Sequence, residues 1–117
     1  MALLFNKRLD IGDWGAEQVD DCIQMAQVQT SLGLIQLINV YVVTEEGRVA
    51  LDANLALRRV PELFLEGVEH VLLGDFNLHH PSWGGERVQR ADEAARELID
   101  ITTHQGLCLA TSQGAIT

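Results

Sequence analysis

Hydrophobic and polar positions alternate along this chain in short blocks of two different periods. Asp21–Thr30 and Leu34–Val43 are β-rich runs separated by Ser31-Leu32-Gly33, and a short glycine-containing loop between such runs predicts a hairpin. In the second run Ile35, Leu37, Asn39, Tyr41 and Val43 share one face, while Leu34, Ile38, Val40 and Val42 share the other. A strand apolar on both sides belongs in the interior of a sheet. Asn39 and Tyr41 then point the same way.

Thr44–Gly47 reads as a polar turn, and the period then changes. Ala53, Leu57, Val60 and Phe64 step by four, three and four, which predicts a helix over Leu51–Leu65 with Arg58, Arg59 and Glu62 toward solvent. Pro61 interrupts it. A proline inside a helix costs about 3 kcal/mol, so the helix kinks there or a second short one begins with Pro61 in its first turn. Val68–Leu73 is an apolar run bounded by a turn signal, hence a strand covered on both faces. After Gly84-Gly85, Ala91, Ala94, Leu98 and Ile101 mark a second helix, with Gly106 as its C′ residue and Leu107–Thr111 as a last short strand. Asn6–Gly15, where Gly12 and Gly15 flank Trp14, reads as a loop after an edge strand. The predicted order, ββαβαβ, is that of an α/β (α+β) protein, half of a two-sheet sandwich with helices outside.

Composition narrows the picture. A chain of 117 residues, 47% hydrophobic and 21% charged, is read as one globular domain over 1–117. The net charge is −9, and from Pro61 onward nine carboxylates face only Arg87, Arg90 and Arg96. A stand-alone DNA binder carries a basic footprint, so firm DNA binding by this chain alone is not expected. Cys22 and Cys108 are too few for a disulfide framework or a zinc site and read as small buried hydrophobes. The charges Lys7 and Arg8 follow the apolar N-terminal residues instead of preceding them, and Gln36 and Asn39 interrupt the longest apolar run. Neither a signal peptide nor a membrane span is expected, and the chain reads as soluble and intracellular.

The chemistry concentrates in Leu73-Gly74-Asp75-Phe76-Asn77, an Asp-x-Asn pair at the end of a buried strand. Ligand and catalytic groups gather at the C-terminal ends of strands in α/β sheets. One charged acceptor and one neutral donor on a rigid turn suit phosphate-ester hydrolysis, where a water must be aligned and phosphoryl charge stabilised. The bland reading is turn chemistry, since Asp and Asn bond their own backbone.

Read whole, Val71–Gly85 is Val-Leu-Leu-Gly-Asp-Phe-Asn-Leu-His-His-Pro-Ser-Trp-Gly-Gly. It resembles the endonuclease/exonuclease/phosphatase superfamily, and its His-His-Pro-x-Trp-Gly-Gly continuation is similar to the endonuclease domain of fungal non-LTR retrotransposons. The resemblance implies a part of a four-layer α/β/β/α sandwich and a Mg²⁺- or Mn²⁺-dependent DNA-nicking phosphodiesterase, nuclear or cytoplasmic. It implies that Asp75 orients or deprotonates the attacking water, that Asn77 hydrogen-bonds the scissile phosphate and that Tyr41 lies beside it. Asn39 and His80 become substrate-binding candidates. Val43 stands where the family has a proline. Adjacent His79 and His80 point apart on an extended segment and do not read as chelators. The bland readings are a core aromatic for Tyr41, a backbone-satisfying amide for Asn39, and a solvated helix face for Glu93, Glu97 and Asp100.

The family's metal-ligand glutamate and its later Ser-Asp-His acid and histidine have no counterpart here, with Glu17 ahead of the hairpin and His104 in a helix. A partial, truncated domain with little activity of its own is therefore expected. The alternative is a non-catalytic remnant or protein-interaction module that self-associates through an uncovered sheet.

Overall fold

The computed structural model describes residues 3–4, 8, 14–42, 44–45, 48–49, 55, 57–90 and 92–111. It divides into two compact units, Met1–Phe76 and Asn77–Thr117.

The first unit is built on four strands, β1 (Trp14–Asp20), β2 (Ile23–Thr30), β3 (Gly33–Tyr41) and, later in the chain, Glu69–Asp75. The two-residue strands β4 (Thr44–Glu45) and β5 (Arg48–Val49) pair separately, so Glu69–Asp75 is β6. The sheet order is β1-β2-β3-β6, antiparallel except for the parallel β3–β6 pair. The hairpin stands as expected. Thr30 pairs with Gly33, whose φ of +124° suits glycine, and the Thr30 hydroxyl both donates to the Gly33 carbonyl and accepts from the Leu32 N–H.

β1 is the main departure from the sequence reading, which placed Gly15 in a loop. Alternation is weak there, because an edge strand with Ala16, Glu17 and Gln18 exposed has little apolar signal to show. The rest of the Asn6–Gly15 loop, apart from Arg8 and Trp14, lies outside the described residues. Asp20 closes the turn into β2 by accepting from the Cys22 N–H at 2.7 Å, and its other oxygen pairs with Arg59 at 2.9 Å.

Residues 57–59 are helical and run into a 3₁₀ turn over Val60–Leu63, which carries Pro61 in its first turn. Leu57 and Val60 are buried, while Ala53 and most of the earlier part of that predicted helix lie outside the described residues. One polar side chain ties this turn to the sheet. Gln36 is almost wholly buried on the face it shares with Ile38 and Val40; its amide donates to the Leu63 carbonyl, and its Oε1 accepts from Gln27 at 2.9 Å. A buried amide needs such partners to be tolerated.

In the second unit, α1 (Pro81–Gly84) passes through a 3₁₀ turn, Gly85–Arg87, and then a longer helix follows, α2 (Glu93–His104). Ala94, Ala95, Leu98 and Ile101 are its buried stripe, and Ala91 lies outside the described residues. Gly106 ends the helix at φ +65°, with its N–H on the Thr103 carbonyl and the Leu107 N–H on that of Thr102. Those two bonds are the Schellman pattern that a C′ glycine permits. The last strand expected at Leu107–Thr111 does not form, since none of its residues joins a ladder in the described structure. Cys22 is buried as expected, but Cys108 is exposed on that non-strand segment. Mixed sheet and helices together make an α/β fold, and no described helix is long and apolar enough to cross a membrane.

Gln36→Ala is expected to destabilise the chain by about 1–3 kcal/mol, because the Leu63 carbonyl loses its donor inside the fold. Urea unfolding should show a lower midpoint with an unchanged slope.

Candidate active site

The parallel β3–β6 pair sets three candidate residues in register. Tyr41 is opposite Asp75, Val40 opposite Gly74 and Asn39 opposite Leu73. Registered neighbours in a sheet project to the same face, so Asp75 and Tyr41 stand side by side at the C-terminal ends of their strands, with Asn39 one pleat deeper. Their exposure follows that depth: Asp75 is exposed, Tyr41 42% exposed and Asn39 only 8%. Backbone bonds hold the rim on both sides, from Tyr41 N–H to the Cys22 carbonyl and from Val42 N–H to the Asp75 carbonyl, each 2.8 Å. The strand runs two residues further than Val68–Leu73 implied, and this brings Asp75 itself into the ladder.

Gly74 makes that registration possible. Its φ is +148°, and a Cβ built there would lie 1.9 Å from the Val40 carbonyl oxygen. Any side chain at this position would push β6 away from β3 immediately before the carboxylate.

In the second unit, Asn77 has φ +48° and stands alone among the described non-glycine residues in the left-handed region. Asparagine tolerates that region better than most residues, and such outliers collect at ligand sites and in turns alike. Leu78 beyond it is buried. The two histidines that follow have different duties. His79 gives both its backbone N–H, at 2.7 Å, and its ring Nδ1, at 3.1 Å, to Asp92 Oδ2, and its carbonyl accepts from the Asp92 N–H at 2.9 Å. His80 is the N-cap of α1; its Nδ1 accepts from the Ser82 N–H at 3.0 Å. The His80 ring lies 5.1 Å from that of Trp83, whose indole N–H donates to the Leu78 carbonyl at 2.9 Å. Pro81 lies in the first turn of α1, and Gly85 follows that helix at φ +68°.

The two histidines thus bond different partners, His79 to Asp92 and His80 to Ser82. Among the described residues no three His, Cys, Asp or Glu side chains gather as a metal site. Glu17 is exposed on the outer strand β1 and Asp21 sits in the following turn. Asp92 is the participant that the sequence reading passed over. The faint signal was an Asp at a helix start, which ordinarily caps its own helix; here it makes no side-chain cap and reaches back to His79.

A family model described as endonuclease-reverse transcriptase matches residues 35–117, a span that contains Asn39, Tyr41, Asp75, Asn77 and His80. No curated protein and no solved structure matches the chain.

Gly74→Ala should cost more than the roughly 1–3 kcal/mol of backbone strain alone, because the Val40 carbonyl must also move. The expected result is a large fall in unfolding midpoint, with amide protection lost first at Val40–Val42. Wild-type protection there in a folded variant would contradict the tight approach.

Proposed function

This chain belongs to the endonuclease-reverse transcriptase family, and on that premise we propose that it is part of a retrotransposon endonuclease domain that nicks DNA by phosphodiester hydrolysis. The observation that supports this most is the registration of Tyr41 with Asp75 at the strand ends. In the proposed reaction a water oxygen attacks phosphorus as the bond to the leaving oxygen breaks. Asp75 orients that water and takes its proton, and the leaving oxygen is protonated from solvent. Asn77 hydrogen-bonds the scissile phosphate, Tyr41 borders it, and Asn39 and His80 supply supporting polar contacts.

Mg²⁺ or Mn²⁺ would neutralise phosphoryl charge in such a reaction. A hard cation of this kind is held by one or two carboxylates with substrate oxygens. Asp75 offers one, and the family's glutamate has no counterpart in 1–117. The residues present do not make a whole metal site, which supports reading the chain as a partial domain of low activity. Its charge of −9 also repels the phosphate backbone, so DNA is a weak partner for this chain alone.

A second reading, a non-catalytic interaction module, draws on a different observation. Val71 is 46% exposed on the face that carries Asp75, and exposed apolar sheet surface favours self-association. Sedimentation should then show dimers or larger species, whereas a compact monomer at all concentrations would speak against this module.

With Mg²⁺ and supercoiled DNA, nicking by the chain is expected to be slow and lost in Asp75→Ala, since general acid–base help is worth about 10²–10⁴-fold. Nicking that survives Asp75→Ala would refute the assignment. No nicking by the unaltered chain, even at high concentration, would favour the second reading.

A further inference from the structure

His79 is a side chain that the second unit fixes without burying. Its backbone and its ring are both bonded to Asp92, thirteen residues on, yet its side chain is 74% exposed. An ionised carboxylate only accepts, so the bond from Asp92 Oδ2 puts a proton on Nδ1 and leaves Nε2 as the ring's remaining polar atom. His80 is arranged the opposite way. Its Nδ1 accepts from Ser82 N–H, so its proton sits on Nε2, and a second proton would break the cap of α1.

This contrast singles out one of the pair. His79 can become an imidazolium without losing any bond it makes, and the bond to Asp92 then becomes charge-assisted. His80 cannot. An imidazolium so held presents Nε2–H outward, with Asp92 on the other side of the ring as its counter-charge. The ligand that completes the arrangement is a second anion, accepting from Nε2–H.

We propose that His79, held by Asp92, is a contact for a phosphodiester oxygen of a nucleic-acid strand. Nε2–H donates to a non-bridging oxygen and carries no sequence information, since every phosphate offers the same acceptor. The choice of phosphodiester as the anion rests on the endonuclease reading; the preorganised imidazole does not. His79 acts here as a binding residue and Asp92 as the residue that positions it.

The test is binding without hydrolysis, using a short single-stranded oligothymidylate in EDTA. In the free chain, side-chain ¹⁵N spectra should show His79 protonated at Nδ1 and His80 at Nε2. On titration the His79 Nε2 signal should move to that of a protonated nitrogen. His79→Gln should weaken binding equally for oligothymidylate and oligoadenylate and lower the slope of log affinity against log salt by about 0.7, the share of one phosphate contact on a single strand. His79→Arg should restore the slope, Asp92→Asn should weaken binding with the chain still folded, and His104→Gln, at the far end of α2, should change nothing.

A salt slope unaltered in His79→Gln, or His79 signals that stay fixed through the titration, would overturn the proposal; an oligonucleotide that does not bind counts among the latter. The endonuclease reading fails separately. If nicking is absent while the His79 salt effect is present, the phosphate contact stands and the hydrolytic assignment falls.

Discussion

The approach of β6 to β3 at Gly74 is the constraint on which the candidate site depends. A parallel pair offers evenly spaced, slanted bonds and no turn to pin it, so its register must come from packing. Here the missing Cβ lets the Val40 carbonyl sit where a side chain would be. A slip of one residue would send Asp75 to the other face and leave Tyr41 beside Gly74. One glycine therefore aligns an aromatic from the hairpin with a carboxylate more than thirty residues later. The buried Gln36 acts in the same direction from below, holding the Val60–Leu63 turn that leads into β6.

Elements with strong local signals were readable from sequence, and those dependent on distant partners were not. The β2–β3 hairpin announced itself through Gly33, and the end of α2 through Gly106, because a left-handed residue is a local demand. β1 escaped notice because its exposed side chains show no period, although its backbone pairs from Trp14 to Asp20. Leu107–Thr111 erred the other way: Leu107 and Leu109 look like strand residues, but a strand exists only where a neighbour completes its ladder. Cys108 is exposed for the same reason.

The candidate site divides similarly. Asp75 and Asn77 stood out as an Asp-x-Asn pair at a strand end and Tyr41 through the family resemblance, and the pairing of Tyr41 with Asp75 was a consequence that neither spelled out. Asn39, at 8% exposure, sits deeper than the rim formed by Asp75 and Tyr41. The bond between His79 and Asp92 had no sequence signature, because it joins a loop residue to a helix start across thirteen positions. At most helix starts an Asp satisfies its own first turn. This one is drawn away, and three hydrogen bonds between the same two residues show that the loop and the helix start are fixed to each other.

The acidic composition bears on how such a site can work. With nine carboxylates from Pro61 onward and only three arginines, long-range attraction does not bring a phosphate backbone to this chain. Whatever recognition exists must be short-range, made by groups already oriented, since an ordered donor loses little freedom when its acceptor arrives. The second unit meets that requirement economically. Asn77 is held in a conformation few residues accept, His80 is committed to the cap of α1, and His79 is immobilised by a carboxylate while most of its ring faces solvent. Net repulsion and an ordered donor together favour short-range contact over long-range capture. A flexible cation would bind any anion weakly, whereas a fixed imidazole rewards only one placed along its remaining N–H direction.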